Sequence, residues 1–214
     1  MTAKLALYNG ALRLCGERRL ASLTENREPR RYLDEVWADD FVKGILEKGM
    51  WKFALRSTKL DPDSNVTVEF GHTHAFAKPD DMVRIAAVSS DEFFNTPLLA
   101  YNEEQSWLFS STNPLYLRYV SSDTNYGADM SRWTKAFSDF AEADLALAII
   151  KRLTQDKSEW DRLAKLHRSI LTSARSLDAM ADPTKFLPRG DWVSSRIGGN
   201  LVRRDGGNRG GLIG

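Results

Sequence analysis

Apolar residues recur three and four positions apart at Leu5, Tyr8, Ala11, Leu12 and Cys15, a spacing that predicts a short helix. Gly16 suits the left-handed residue just past its end. Leu20 and Leu23 anchor a polar turn, Thr24 or Asn26 caps the next helix, and Pro29 fits its first turn. Leu33, Val36, Trp37, Phe41 and Ile45 then form one wide stripe that ends at Gly49. From Met50, Trp51 and Phe53 the period changes. Val66, Val68 and Phe70 alternate with polar neighbours as in a strand. Residues 74–77 and 82–88 read as two more strands. Residues 98–101 and 106–109 flank a hairpin turn at 102–105, and residues 115–120 close the set.

Helical spacing returns at about Ala128. Trp133, Phe137, Phe140, Ala141 and Leu147 share one side, and Leu145 and Ile149 widen it nearly all round, so this helix is expected to be buried. A last long helix carries Trp160, Leu163, Leu166, Ile170, Ala174 and Leu177 on one face and charges on the other. The predicted fold class is α+β, mainly α. It is a four-helix bundle built from residues 1–50 and 123–181, with a β-rich insertion at 51–122 between helices two and three. Residues 182–214 are an extended C-terminal arm.

The 214 residues carry 30 basic and 29 acidic side chains, a net charge of +1, which excludes a chain that grips nucleic acid over its whole surface. Cys15 has no internal partner for a disulfide. The first residues read as no signal peptide, and the longest apolar run is far short of a membrane span. The expectation is a soluble protein with no membrane anchor.

Candidate chemistry is sparse. His72 and His74 would share a strand face, but no third metal ligand is well spaced. Asp61-x-Asp63-x-Asn65 opens like a calcium loop, yet Val66 stands where the turn needs Gly and His72 where Glu belongs. Asp139, Glu142 and Asp144 crowd one helix, as solvated or paired carboxylates commonly do. No catalytic residues, metal or cofactor are expected, and the chain reads as no enzyme.

Several motifs carry a resemblance: Gly16-Glu17, Ser22-Leu23, the helix around residues 32–46, and Trp51-x-Phe53. They are followed by Phe76-Ala77-Lys78-Pro79-Asp80-Asp81-Met82-Val83-Arg84-Ile85 and by Leu117-x-Tyr119-Val120. In this order they resemble the tail tubular protein A family, the head-to-tail adaptors of short-tailed bacteriophages. Lys78 departs from the pattern, since the family carries an apolar residue before the Pro.

The resemblance covers residues 5 to about 196. It implies a structural virion protein of the tail or neck, assembled in the host cytoplasm. It implies a homo-oligomeric ring of twelve copies, with the portal protein above. A tail nozzle or tubular protein, with fibres or spikes, would lie below. Packaged DNA would pass through the lumen during ejection. The aromatic residues Phe93, Phe94, Trp107, Phe109, Tyr116 and Tyr119 are candidates for subunit contacts, with at least half expected to fill the subunit's own core.

Gly190 to Arg196 resembles the Trp-containing end of the family. The arm offers isolated anchors for a portal: Phe186, Leu187, Trp192, Val193, Arg196, Ile197 and Leu201, with Arg203 and Arg204 beyond. Its glycine-rich end, residues 198–214, should not pack on its own. The alternatives are another phage neck, connector or head-completion protein, or a nucleic-acid-binding helical protein. The second is disfavoured by Asp34, Glu35, Asp39 and Asp40 on the solvent side of what would be the recognition helix.

Overall fold

Helix α1 (Ala3–Leu14) buries Leu5, Tyr8, Ala11 and Leu12. The structure, a computed structural model, describes residues 3–154 and 156–181. The chain leaves α1 through Gly16 at φ 75, the left-handed turn that its position suggests. The following turn is held from below by Asn9, which is 5% exposed. Its side-chain amide donates to the Leu20 carbonyl at 3.1 Å, and its oxygen accepts from the Leu20 N–H at 2.7 Å. Helix α2 (Glu28–Ala38) starts at Arg27 without a side-chain cap, with Pro29 in its first turn. Thr24 pairs with Ser22 instead, and Asn26 accepts from Arg31.

The long second helix is two helices. Helix α2 stops at Ala38, and α3 (Phe41–Glu47) begins after a turn in which Asp40 is left-handed, φ 49 and ψ 34. On one straight helix Leu46 would lie roughly 220° round the axis from Leu33. The turn reorients the chain so that Leu33, Ile45 and Leu46 are all fully buried.

Between the helices lie two antiparallel sheets of three strands each. One has the order β1 (Leu55–Leu60), β6 (Leu115–Ser121), β3 (Met82–Ser89). The other has the order β2 (His74–Ala77), β5 (Trp107–Ser110), β4 (Tyr101–Glu104). The predicted strand at Val66–Phe70 does not form, and Phe70 is 86% exposed. The hairpin turn sits at Gln105 and Ser106, later than the spacing suggests, because residues 101–104 pair with β5. Lys78 folds onto this hairpin. Its ammonium reaches the Glu103 carboxylate and the Gln105 carbonyl, both at 2.8 Å, so the cation is accommodated without an apolar pocket.

Helix α4 (Lys135–Leu153) starts later than Ala128, after a short 3-10 turn at Met130–Arg132. Thr134 caps it by accepting from the Phe137 N–H at 3.3 Å. Helix α5 (Lys157–Met180) is capped by Asp156, which accepts from the Ser158 N–H at 2.8 Å. The chain is therefore α+β, with five helices and two three-stranded sheets among the described residues, and not a four-helix bundle.

The helical core closes on aromatic rings. Trp51 is 1% exposed and meets Phe137 at 4.7 Å and Phe140 at 5.9 Å between centroids. Phe53 and Trp133 pack on Phe137 from other sides, each at 4.8 Å. A Cβ on Gly49 would stand 2.7 Å from the Trp51 ring, so this close approach requires glycine. The β lobe has a smaller core of Phe76, Val88, Leu108, Leu115, Leu117 and Tyr119.

Candidate functional site

The arm anchors Phe186, Leu187, Trp192, Val193, Arg196, Ile197, Leu201, Arg203 and Arg204 lie outside the described residues. What the structure does place is the chemistry of residues 3–181.

The corner at Pro79 to Asp81 is the best-tied point of the lobe. The Asp81 carboxylate accepts from Ser121 Oγ at 2.5 Å, from the Tyr119 hydroxyl at 3.1 Å and from Arg56 Nη1 at 3.1 Å. Its backbone carbonyl accepts from the Ser122 N–H at 2.8 Å. One residue thus joins the start of β3 to β1 and β6. Partial burial pulls the Asp81 carboxyl upward, but the three hydrogen bonds outweigh it and hold the group below the usual carboxylate range. Burial, and then Asp81, push the Tyr119 phenol up to about 12. The short side chain therefore collects side-chain donors from two strands, not the turn N–H groups that a Pro-Asp-Asp sequence suggests.

The three carboxylates of α4 are each paired. Asp139 meets Lys135, and Glu142 accepts from Arg13 at 3.1 Å. Asp144 accepts from Lys48 Nζ at 2.5 Å and lies 2.8 Å from His167 Nε2. Glu142 packs so closely on Gly10 that a Cβ there would collide with its carboxyl group. Burial raises the Glu142 carboxyl above its ordinary range. These groups stitch α1, α3, α4 and α5 together. The Cys15 thiol is pushed up to about 11, first by burial and then by Glu17, so it stays protonated.

His72 lines a cleft of about 300 Å³ with Glu69, Phe70 and Glu104, and His74 begins β2 beside Phe76. No group of three His, Cys, Asp or Glu side chains among the described residues could hold a metal ion. Asp63 accepts from the N–H and the side-chain amide of Asn65, which makes a local turn of the calcium-like sequence. Of the recognition-helix carboxylates, Asp34 accepts from Tyr8 at 2.9 Å and Arg30 at 2.7 Å, and Glu35 pairs with Arg152. Asp39 and Asp40 are exposed at the helix break.

Charge is distributed unevenly. Residues 60–114 hold nine carboxylates and two cations, and both cations, Lys78 and Arg84, are engaged by protein oxygens. Glu69, Glu92 and Glu104 have no partner among the described residues. In the same lobe Phe70, Phe93 and Leu99 are 86%, 73% and 88% exposed. Of the other aromatic residues expected as candidates for subunit contacts, Tyr119 is buried, while Phe94, Trp107, Phe109 and Tyr116 are half-buried, Phe94 lying 4.4 Å beneath the Arg118 guanidinium. The opposite excess lies in residues 13–31, with six arginines against three glutamates. Arg18 and Arg19 project from the turn after α1, while Arg27 donates to both of their carbonyls at 3.0 and 3.4 Å. Neither excess stands out in a chain whose total charge is +1, although the charges of each segment show both.

No protein-family model matches the sequence, and no curated protein matches it either.

Proposed function

We propose that the chain is a head-to-tail adaptor of a short-tailed bacteriophage. On this reading it is one subunit of a ring that joins the portal to the tail and leaves a channel for DNA. The observation that carries the reading is where the motifs of the resemblance fall in the fold. Gly16 makes the turn after α1, Trp51 centres the helical core, and Asp81 ties the corner of the lobe. These three motif residues each have a distinct structural task, and that supports the reading. The ring, its twelve copies, the tail protein and fibres below, and residence in the virion come from the resemblance alone.

The portal-binding element of this reading is the segment from Asp182 to Gly214, with Trp192 as its central anchor. Docking through Trp192 depends weakly on salt, whereas a role for Arg203, Arg204 and Arg209 in holding DNA depends on it steeply. The test is to delete residues 185–214 and add the truncated chain to emptied, DNA-free portals. Loss of ring formation on the portal, with the helical circular dichroism intact, is the expected result. Normal docking of the truncated chain overturns the assignment of the arm. A native chain that docks on no portal, in particles where some other protein fills the neck, overturns the adaptor reading itself.

A further inference from the structure

We propose that residues 66–70 of one copy add as a further strand to the free edge of β1 in a second copy. The proposal deepens the ring reading, in which two different faces of each subunit meet head to tail. Its physical case is the backbone of the two segments.

The first segment is a strand without a neighbour. Val66-Thr67-Val68-Glu69-Phe70 alternates as strands do, and all but Glu69 are β-branched or aromatic. Turns bound it on both sides, with Asn65 held by Asp63 before it and Gly71 at φ 88 after it. Yet it belongs to neither sheet, and among the described residues no backbone group of 66–70 makes a hydrogen bond. Thr67 and Glu69 are exposed, and Phe70 is 86% exposed. Its own chain leads it away from β1. The Asp63 N–H donates to the Ala75 carbonyl of β2 at 2.8 Å, and residues 67–72 lie beside Asn102, Glu104 and Phe109 of the β4–β5 hairpin.

Four strands stand at the edges of the two sheets, and three of them suit an added strand poorly. The edge of β2 is taken by Asp63. The register of β3 shifts at Met82/Arg84 and at Ile85/Ala87, and its Val88 carbonyl accepts from the Leu98 N–H at 2.9 Å. Bulges and a covering segment are two ways of closing an edge. In β4, Glu103 and Glu104 would oppose Glu69, and like charges across a ladder destabilise it. The remaining edge is β1, six residues paired in unbroken register with β6 and with no other strand. In an antiparallel pair alternate residues point N–H and carbonyl away from the partner, so β1 offers half a ladder on its outer side.

Charge selects the occupant. β1 contains Arg56 and Lys59 and no carboxylate. Arg56 is held by Asp81, while Lys59 meets Asp61 in an exposed pair that leaves its ammonium further donors for Glu69. Pairing β1 with β1 would bring the cations of two copies together, and pairing two 66–70 segments would bring their glutamates together. The favoured pair is therefore of unlike segments, with main-chain hydrogen bonds supplying the affinity.

Proline tests the ladder, because it removes an N–H. Thr67→Pro and Val68→Pro are made separately, so that one of them strikes a ladder N–H in either register. Thr67→Val and Val68→Thr keep the N–H groups and serve as controls. Circular dichroism checks that all four fold. Sedimentation up to about 1 mM protein reaches contacts of low affinity. The native chain is expected to associate, and amide exchange within residues 56–60 and 66–70 is expected to slow as protein concentration rises. At least one proline variant is expected to associate about tenfold more weakly and to lose that protection. Both controls are expected to stay within about threefold of the native chain.

A native chain that stays monomeric throughout overturns the proposal. So do two proline variants that associate like the native chain, or controls that lose association as the proline variants do. Association without slowed exchange in β1 places the contact elsewhere and overturns it as well. Protection of both segments that is independent of concentration means that 66–70 pairs within its own chain, which again overturns it. Any of these results alongside a ring seen beneath the portal spares the adaptor reading. Success of the proline test without such a ring keeps the contact and removes the adaptor.

Discussion

The helical part and the β lobe are stabilised by different means. In the helical part, Trp51, Phe53, Trp133, Phe137 and Phe140 interlock, and the polar groups around them act at the rim. In the lobe six side chains form the buried cluster, and a charged aspartate at its corner supplies much of the cross-linking. A core rich in large rings tolerates few alternatives in packing. A thin sheet lobe tied by a polar corner leaves most of its surface free. Where the lobe has surface to spare, it carries Phe70, Phe93 and carboxylates without a partner among the described residues. Large buried rings are concentrated in one region and exposed phenyl rings in the other.

The sharpest way to break the comparison is Trp51→Ala. It removes the ring at the centre of the helical core and is expected to cost about 4 kcal/mol, read by chemical denaturation. A loss below about 1 kcal/mol, small for any buried ring, would mean that the aromatic cluster is not the main support of the helices.

Asp81→Asn probes the lobe. It keeps the shape but removes the charge that Arg56, Tyr119 and Ser121 address, for an expected loss of about 2 kcal/mol. The same group sets a pH dependence. Because its folded pKa is lowered, its contribution is fully present above the unfolded carboxylate pKa of about 4 and is lost as pH falls through the folded value. Acid titration followed at Tyr119 should therefore show the native lobe loosening below about pH 4, with that step absent in the Asn variant. An unchanged acid limb in Asp81→Asn would remove the polar half of the contrast.

The smallest effect is expected at the helix break. Asp40 holds a left-handed conformation at φ 49 that glycine adopts without steric cost. Asp40→Gly should raise stability by about 0.5 kcal/mol, the relief of strain being partly offset by the freer unfolded chain. A destabilisation would show that the Asp40 side chain contributes something beyond its backbone.

What the sequence disclosed, and what it hid, follows the same division. The helices α1, α4 and α5 were readable because a buried helical face repeats its apolar residues at the helical period. The break at Asp39 and Asp40 was not, since Leu33, Val36, Trp37, Phe41 and Ile45 keep a plausible period across it. Strands need neighbours as well as alternation. Val66, Val68 and Phe70 alternate, yet β5 is already flanked by β2 and β4, and residues 66–70 belong to neither sheet. Conversely, Leu-Arg-Ser-Thr-Lys-Leu looks polar and is β1, an edge strand paired along its length with β6. The pairing of Asn9 with Leu20, 11 residues away, left no trace in any periodicity. The uneven distribution of charge was visible only by segment.

The register of β1 on β6 has one more consequence. The strands pair from Leu55 with Val120 out to Leu60 with Leu115, so the chain enters and leaves the lobe side by side. At the inner end, Val120 belongs to the helical core and Leu55 packs against it. At the outer end, Leu115 belongs to the lobe's own cluster and Leu60 packs against that. The ladder is thus a stem rooted in one hydrophobic mass and opening into another. The segment between its outer ends also returns to the root along β3, where Asp81 meets Arg56 and Arg84 donates to the Glu47 carbonyl. What such a stem leaves free to diverge in length and chemistry is the pair of loops at its outer end, residues 61–73 and 90–100, while the returning strand and the helices beneath keep their sequence.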